Sequence, residues 1–171
     1  MDIIIYSNNM KYLKLFESLD NIHEICKIYK IYNYTINSDG SIDVDDNVNL
    51  TYRNLTKLPL KFRNVSDSFN CHNNNLTSLE GSPNNVSGNF YCSNNKITSL
   101  EGSPTYVGGN FYCKVNPVYE IWKLFLDKSK IELFNDYDII RGKDIVINRL
   151  NDFLITIGKK PVKSVEGYNN I

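Results

Sequence analysis

The sequence contains no alanine and no glutamine among its 171 residues, and it has only one tryptophan, two methionines and two histidines. Net charge is also missing, because 19 basic residues balance 19 acidic ones. A chain without an overall positive field lacks the attraction that holds most nucleic-acid-binding proteins to phosphates. Nucleic acid is therefore not an expected partner.

Long apolar runs are absent as well. The first residues, MDIIIYSNNMKYLKLF, carry an acid at position 2 and only four consecutive apolar residues, so they lack the basic and long apolar regions of a signal peptide. No stretch approaches the roughly 20 apolar residues that span a bilayer. We therefore expect a cytoplasmic protein with no membrane partner and with reduced cysteines.

The chain also lacks the motifs of common catalytic sites. No phosphate-binding loop, dinucleotide fingerprint, zincin motif or hydrolase elbow occurs. Two aspartate clusters, one at Asp43, Asp45 and Asp46 and one at Asp136 and Asp138, lack the pattern of a calcium loop and are interpreted as solvated turns. The sequence predicts a protein that is not an enzyme, with no cofactor and no metal.

What the chain does contain is an internal repeat of 21 residues. Cys71, Cys92 and Cys113 are each 21 residues apart, and the surrounding positions recur in step. The other columns are Phe69, Phe90 and Phe111; Asn74, Asn95 and Asn116; Leu76, Ile97 and Val118; and Leu79, Leu100 and Ile121. One period earlier, VNLTYRNLTKL forms a first repeat with Arg53 at the asparagine position. Four repeats in phase make this a strong signal.

The repeated positions suit a short strand followed by a turn. Alternate side chains of a strand face opposite sides, so Phe90 and Cys92 should point inward and Tyr91 outward. Cysteine is a small apolar filler for a narrow interior. Asn95 lies where the chain leaves the strand, and its amide can bond backbone groups of its own and the next repeat. The cysteine and asparagine columns are therefore predicted to be structural.

The pattern F-x-C-x-x-N-x-L-x-x-L resembles the leucine-rich repeat, at the short end of that family's 20 to 29 residues. It is especially similar to the asparagine- and cysteine-bearing repeats of proteins predicted in large tailed bacteriophages, down to the TSLEGSP corner. That similarity extends to an upstream hairpin and, downstream, to FNDYDIIRG, RLNDFL, IGKKPV and a GY pair. The resemblance implies a solenoid of about four repeats with parallel strands, and a viral origin.

The second half of each repeat is too short and too broken for a helix. EGSPNNVSG and EGSPTYVGG are rich in glycine, proline, serine and asparagine, which favour turns. We therefore expect the convex side to be extended or turn-like.

A cap is predicted at the N-terminal end of the array, because an array of repeats exposes its edges there. Asp20 should cap a helix whose buried face carries Ile22, Ile25, Cys26 and Tyr29. Residues 33–44 then alternate around Ser38-Asp39-Gly40, which predicts a β-hairpin.

The C-terminal cap is predicted to hold three helices. Asn116 should end the ladder and, with Pro117 as the first helical residue, cap a helix with an apolar stripe of Val118, Ile121, Trp122 and Phe125. Ser129 and Glu132 predict a capping box for a second helix, which Gly142 should end. The third helix, ended by Gly158, should present Ile147, Leu150, Phe153 and Leu154.

A row of cysteines also suggests a metal or redox site, but the spacing disfavours it. Metal ligands of this kind usually come as C-x-x-C pairs around one point, whereas these cysteines form a line inside the coil. Cys71 and His72 are adjacent on a strand, face opposite sides and so cannot act as a catalytic dyad. His23 and Cys26 are assigned to packing or to solvent in the first helix.

The outward positions of the repeats carry the prediction of function. Solenoids of this kind bind partners on the concave sheet, and Tyr91 and Tyr112 are amphipathic anchors of the type found at hot spots. The outward columns are Asn47, Ser68, Asn89 and Asn110; Asn49, Asn70, Tyr91 and Tyr112; and Thr51, His72, Ser93 and Lys114. The alternative is that these rows only stabilise the sheet by cross-strand pairing. The predicted partner-binding residues are Asn70, His72, Asn89, Tyr91, Ser93, Asn110, Tyr112 and Lys114.

The sequence as a whole predicts an α+β fold. A helix and hairpin cap over 1–46 precedes a solenoid over 47–117, and a helical cap over 118–171 follows. The predicted function is a non-enzymatic protein-binding module that engages a host or phage protein through its concave face, as a monomer or weak homo-oligomer. A structural virion or self-assembly component and a glycan-binding surface are the alternatives.

Overall fold

A helix and a β-hairpin precede the repeats. The computed structural model describes residues 19–171, and its residues 19–29 form helix α1. Strand β1 (Tyr34–Ile36) pairs antiparallel with β2 (Ile42–Val44) around a turn in which Gly40 has φ of 77°. The predicted hairpin is confirmed. Asp20 is not a helix cap, because the helix already includes residue 19.

The apolar face predicted for α1 packs on the core. Ile22 and Cys26 are buried, and Ile25 and Tyr29 pack against the buried cluster. Burial raises the pKa of the Cys26 thiol. The helix is therefore held by one apolar face, as its 3.6-residue pattern predicts.

Seven short strands follow in the repeats, two in each of the first three repeats and one in the fourth. In chain order they are β3 (Val48–Asn49), β4 (Phe62–Val65), β5 (Phe69–Asn70), β6 (Asn85–Val86), β7 (Phe90–Tyr91), β8 (Tyr106–Val107) and β9 (Phe111–Tyr112). The order β3-β5-β7-β9 forms a parallel sheet, here called the tyrosine sheet. The order β1-β2-β4-β6-β8 forms the second sheet. The mixed α+β class and the parallel strands are confirmed.

The second sheet was not predicted. The half of each repeat that begins at EGSP is extended and without helices, as expected, but its strands also pair with one another. Asn64 pairs with Asn85, and Asn85 with Tyr106, again at intervals of one repeat. The 21-residue period therefore fixes the register of two sheets at once.

The core between the sheets holds a column of phenylalanine rings. The rings of Phe69 and Phe90 are stacked with centroids 5.6 Å apart, and those of Phe90 and Phe111 with centroids 5.3 Å apart. Beyond the last repeat, the Trp122 ring lies 4.9 Å from that of Phe111. Aromatic packing therefore joins the repeats to the C-terminal segment.

The C-terminal segment contains helices and a small sheet. Its elements are α2 (Tyr119–Phe125), a 3-10 turn (Lys128–Lys130), α3 (Ile131–Asp136), β10 (Ile140–Arg141), β11 (Asp144–Ile145), α4 (Ile147–Thr156) and β12 (Asn169–Asn170). Strands β10 and β11 are antiparallel, and β12 joins β11 in parallel. The prediction of a purely helical segment is therefore wrong, although the apolar stripe of α2 is buried as predicted.

Two predicted helix starts are also wrong. Val118 precedes α2 without a side-chain cap, Pro117 lies in the turn before it, and the amide of Asn116 bonds to the repeats instead. At the next start, the carboxylate of Asp127 accepts hydrogen bonds from the backbone N–H and hydroxyl of Ser129. Asp127 therefore caps this turn, two residues before the predicted capping box begins at Ser129.

The two predicted helix stops have different outcomes. Gly142, with φ of 65°, forms the turn between β10 and β11 rather than the end of a helix. Gly158 does follow the end of α4, where the N–H of Lys159 donates to the carbonyl of Leu154 at 2.7 Å. None of the helices within residues 19–171 has the length and apolarity needed to cross a bilayer.

Candidate binding face

The asparagine column closes the turn of each repeat. The Nδ2 of Asn95 donates to the carbonyls of Cys71 and Cys92 at 3.0 and 3.1 Å, and its Oδ1 accepts from the N–H of Leu76 at 2.9 Å. Asn74 and Asn116 bond in the same way one repeat earlier and later. The neighbour that they bond is the preceding repeat, not the next one as predicted.

The cysteine column lies inside the repeats. Cys71, Cys92 and Cys113 are no more than 1% exposed. Burial raises the pKa of the Cys71 and Cys92 thiols, so their reactive thiolate forms are suppressed at neutral pH. In the part of the chain that the structure describes, no group of three or more His, Cys, Asp or Glu side chains is arranged to hold a metal ion.

The central outward column of the tyrosine sheet is arranged as its spacing predicts. Asn49 pairs with Asn70, Asn70 with Tyr91, and Tyr91 with Tyr112. The rings of Tyr91 and Tyr112 are stacked with centroids 4.8 Å apart and planes 5° apart. Tyr112 is 39% exposed, and its hydroxyl accepts from the Nδ2 of Asn110 at 3.1 Å. The stack therefore presents flat apolar surface beside polar groups.

The polar residues around the two tyrosines are partly used by local hydrogen bonds. The Oδ1 of Asn70 accepts from the N–H of His72 at 3.3 Å, and the Oδ1 of Asn89 accepts from the N–H of Asn110 at 2.8 Å. Ser93 is half-buried and Lys114 is exposed. The structure thus brings all eight predicted residues onto the tyrosine sheet and its ends. The side chains of Tyr91, Ser93, Lys114 and His72 make no hydrogen bond among the described residues, whereas that of Tyr112 makes one.

A column of left-handed residues follows each strand of the tyrosine sheet and was not predicted. Tyr52, Asn73, Asn94 and Val115 have φ of 55°, 54°, 58° and 57°. The doublets Asn73-Asn74 and Asn94-Asn95 could have indicated it, because asparagine is the residue after glycine that best tolerates this conformation. Val115 is 68% exposed although it is β-branched.

A cavity of about 440 Å³ lies beside Tyr112, between β9 and the C-terminal segment. The side chain of Leu126 is 61% exposed at its wall, and its φ of 49° is again left-handed. The ammonium of Lys128 donates to the carbonyls of Val107 and Gly109. The cavity is lined by Gly109, Asn110, Phe111, Tyr112, Trp122, Leu126, Asp127 and Lys128. The lining residues come from both the last repeat and the C-terminal segment, so the repeat pattern alone could not predict this cavity.

A larger groove of about 590 Å³ runs along the corners of the repeats, and the basic side chains at one of its ends are paired. Lys61 and Arg63 at one end are paired with Asp39 and Asp43. The hydroxyl of Ser82 lines up with that of Ser103 one repeat later, and both are buried without a hydrogen-bond partner among the described residues. None of the residues that line this groove belongs to a strand of the tyrosine sheet.

Comparison with known proteins gives no match: no protein-family model, no curated protein and no solved structure is similar to this chain. The function is therefore inferred from the tyrosine sheet and the cavity beside it.

Proposed function

We propose that this chain is a leucine-rich-repeat solenoid of the short 21-residue type, and that it acts as a non-enzymatic protein-binding module. The solenoid assignment is supported by two parallel sheets in register at one repeat and by an asparagine that closes each turn. In this interpretation the tyrosine sheet is the concave face, and the caps are the segments 1–46 and 118–171.

The observation that carries the functional proposal is the stack of half-buried Tyr91 on exposed Tyr112. Tyrosine supplies a large, rigid contact area at low entropic cost, with a hydroxyl that tolerates both water and a partner. Stacked rings that only stabilised the sheet would not need a cavity beside them. The Tyr112 ring instead borders one of about 440 Å³.

The proposed partner is a host or phage protein met in the cytoplasm, and the chain is a phage protein in this proposal. A neutral net charge disfavours a polyanion as partner. Amide and tyrosine groups match the mixture of apolar anchors and polar rim found at protein interfaces.

The test is partner capture from the native host with a double variant, Tyr91→Asp plus Tyr112→Asp. Two carboxylates on the contact face should reduce the yield of captured partner at least tenfold, because burying an unpaired charge is costly. Tyr106→Asp is the matched control, since Tyr106 is 58% exposed but lies on the second sheet. Wild-type yield from the double variant would contradict the proposal.

Two further measurements separate the alternatives. Sedimentation at rising concentration would show a growing particle if the chain were a self-assembly component, whereas a binding module stays monomeric or weakly associated. A carbohydrate array should remain negative, and a signal that the double variant removes would replace the protein partner by a glycan.

A further inference from the structure

The two aromatic columns of the repeats end differently at the last repeat. Inside the core, the stack of Phe69, Phe90 and Phe111 is continued by Trp122 from the C-terminal segment. On the tyrosine face, the stack ends at Tyr112, and no aromatic ring of the described residues follows it. Beyond Tyr112 lies the cavity of about 440 Å³, with Leu126 as its exposed wall. The position where the next ring of the outer column would lie is part of an open pocket.

The backbone ladder stops at the same place. The N–H of Phe90 donates to the carbonyl of Asn110 at 2.9 Å, and the N–H of Cys92 donates to that of Tyr112 at 2.8 Å. One repeat later, the N–H of Phe111 has no acceptor among the described residues, because β9 is the edge of its sheet. Phe111 lines the cavity. An edge donor beside a pocket is the arrangement that accepts an extended segment.

The two charged side chains that line the cavity are already engaged in hydrogen bonds. The ammonium of Lys128 donates to backbone carbonyls, and the carboxylate of Asp127 accepts from Ser129. The two opposite charges are adjacent in the chain and are held by these bonds. The pocket therefore complements an uncharged group and has no free cation for a phosphate.

We propose that this cavity binds one aromatic side chain, of tyrosine, phenylalanine or tryptophan, from an extended segment of the partner protein. The ring stacks on Tyr112 as the next member of the outer column and packs against Leu126. The carbonyl of the partner's backbone accepts from the N–H of Phe111. This inference rests on the proposed function, since it names the chemistry of the partner at the same face.

The test is a nuclear magnetic resonance titration of the isotope-labelled protein with N-acetyl-tyrosinamide. Saturable shifts are expected at the Phe111 amide and the Tyr112 ring, with a dissociation constant roughly in the millimolar range for so small a ligand. N-acetyl-leucinamide should bind at least fivefold more weakly. Equal shifts from the leucine compound, or shifts no larger than those at exposed Tyr106, would overturn the inference.

Point variants test whether the probe binds at this cavity of the folded protein. Tyr112→Leu should weaken binding at least fivefold, whereas Tyr106→Leu should leave it unchanged. Leu126→Gly should also weaken binding while leaving the melting temperature at least as high, because glycine suits the left-handed position. Retained binding by both pocket variants would place the probe elsewhere and overturn the inference.

A second probe and the capture experiment separate the remaining cases. Adenosine monophosphate that bound more tightly than the tyrosine compound would make the pocket a nucleotide site and contradict the inference. If the titration fails while the double tyrosine variant still loses its partner, the inference falls and the proposed function stands. If the titration succeeds but the double variant captures its partner normally, the proposed function falls, and with it the assignment of the bound ring to a partner protein.

Discussion

The residue with a left-handed backbone in each repeat shows how a single position can lower the stability of the fold. Asn73 and Asn94 hold this position in the middle repeats, whereas Tyr52 and Val115 hold it at the two ends. A left-handed backbone costs an L-residue about 1–2 kcal/mol, and a branched Cβ makes the position worse. Val115 gains little in return, because it is 68% exposed. Such strain is a known mark of positions kept for binding.

Val115→Asn should therefore stabilise the protein. The free energy of unfolding should rise by about 1 kcal/mol, since asparagine tolerates the left-handed region. Urea denaturation measures the change. Val115→Ala is the control and should gain less, because it removes the branch but keeps an ordinary Cβ. An Asn variant less stable than wild type would show that Val115 makes apolar contacts that its exposure does not reveal.

For single residues, the spacing predicted which side chains of the strands face inward and outward. It did not predict the direction of the asparagine hydrogen bonds. Phe90 and Cys92 are buried and Tyr91 lies outside them, as alternation requires. Asn95 bonds backward, to Cys71 and Leu76. The 21-residue period is the same in both directions along the chain. It therefore does not indicate whether an asparagine amide contacts the preceding or the following repeat.

Among the elements, the end of the second sheet depends on one lysine. Strand β8 has no following strand in the described chain, and the ammonium of Lys128 donates to the carbonyls of Val107, Gly108 and Gly109. Hydrogen bonds from a charged donor are stronger than neutral ones. The C-terminal segment thereby supplies the donors that another repeat would have supplied.

Lys128→Met should loosen this edge while keeping the aliphatic stem. We expect the free energy of unfolding to fall by about 1–3 kcal/mol, because three carbonyls lose a charged donor. Hydrogen exchange should accelerate at the amides of Gly108 and Gly109. Lys130→Met is the control, since Lys130 lies in the same turn without a side-chain hydrogen bond among the described residues. Unchanged exchange in the Lys128 variant would contradict this role.

The elements that the sequence did not predict lie in segments with strong turn signals. Strands β6 and β8 fall in the halves of the repeats that are rich in glycine, proline, serine and asparagine, which favour turns. The hairpin of β10 and β11 was missed because Gly142 suits a helix end and a tight turn equally well. The apolar stripe of α4 was predicted, because ten residues contain almost three turns. Its start was not, because the helix predicted over 143–158 begins only at Ile147, after β11.

For the whole molecule, three buried thiols couple folding to pH. Burial raises the pKa of Cys26, Cys71 and Cys92 in the folded state. Below the ordinary thiol pKa of about 8.5, both states keep their protons and this contribution is fully present. Above it, only the unfolded chain releases protons, so the free energy of unfolding falls as pH rises.

We therefore expect the urea midpoint to fall steadily between pH 8 and pH 10. The thiols of Cys71 and Cys92 should each contribute about 1.4 kcal/mol per pH unit once the unfolded thiol has ionised. Cys92→Ala should be less stable at pH 7 but show a shallower slope. A slope equal to that of wild type would mean that other groups, such as Tyr168, whose pKa burial raises to about 12, dominate the alkaline loss.

Trp122 lies at the joint between the repeats and the C-terminal segment, with its ring against Phe111 on one side and Phe125 on the other. It is the chain's single tryptophan and is 5% exposed. Its fluorescence therefore reports on one place, the contact between the repeats and the C-terminal segment. The twelve tyrosines are spread along the chain. Comparing tryptophan with tyrosine fluorescence can therefore distinguish separation of the C-terminal segment from unfolding of the repeats.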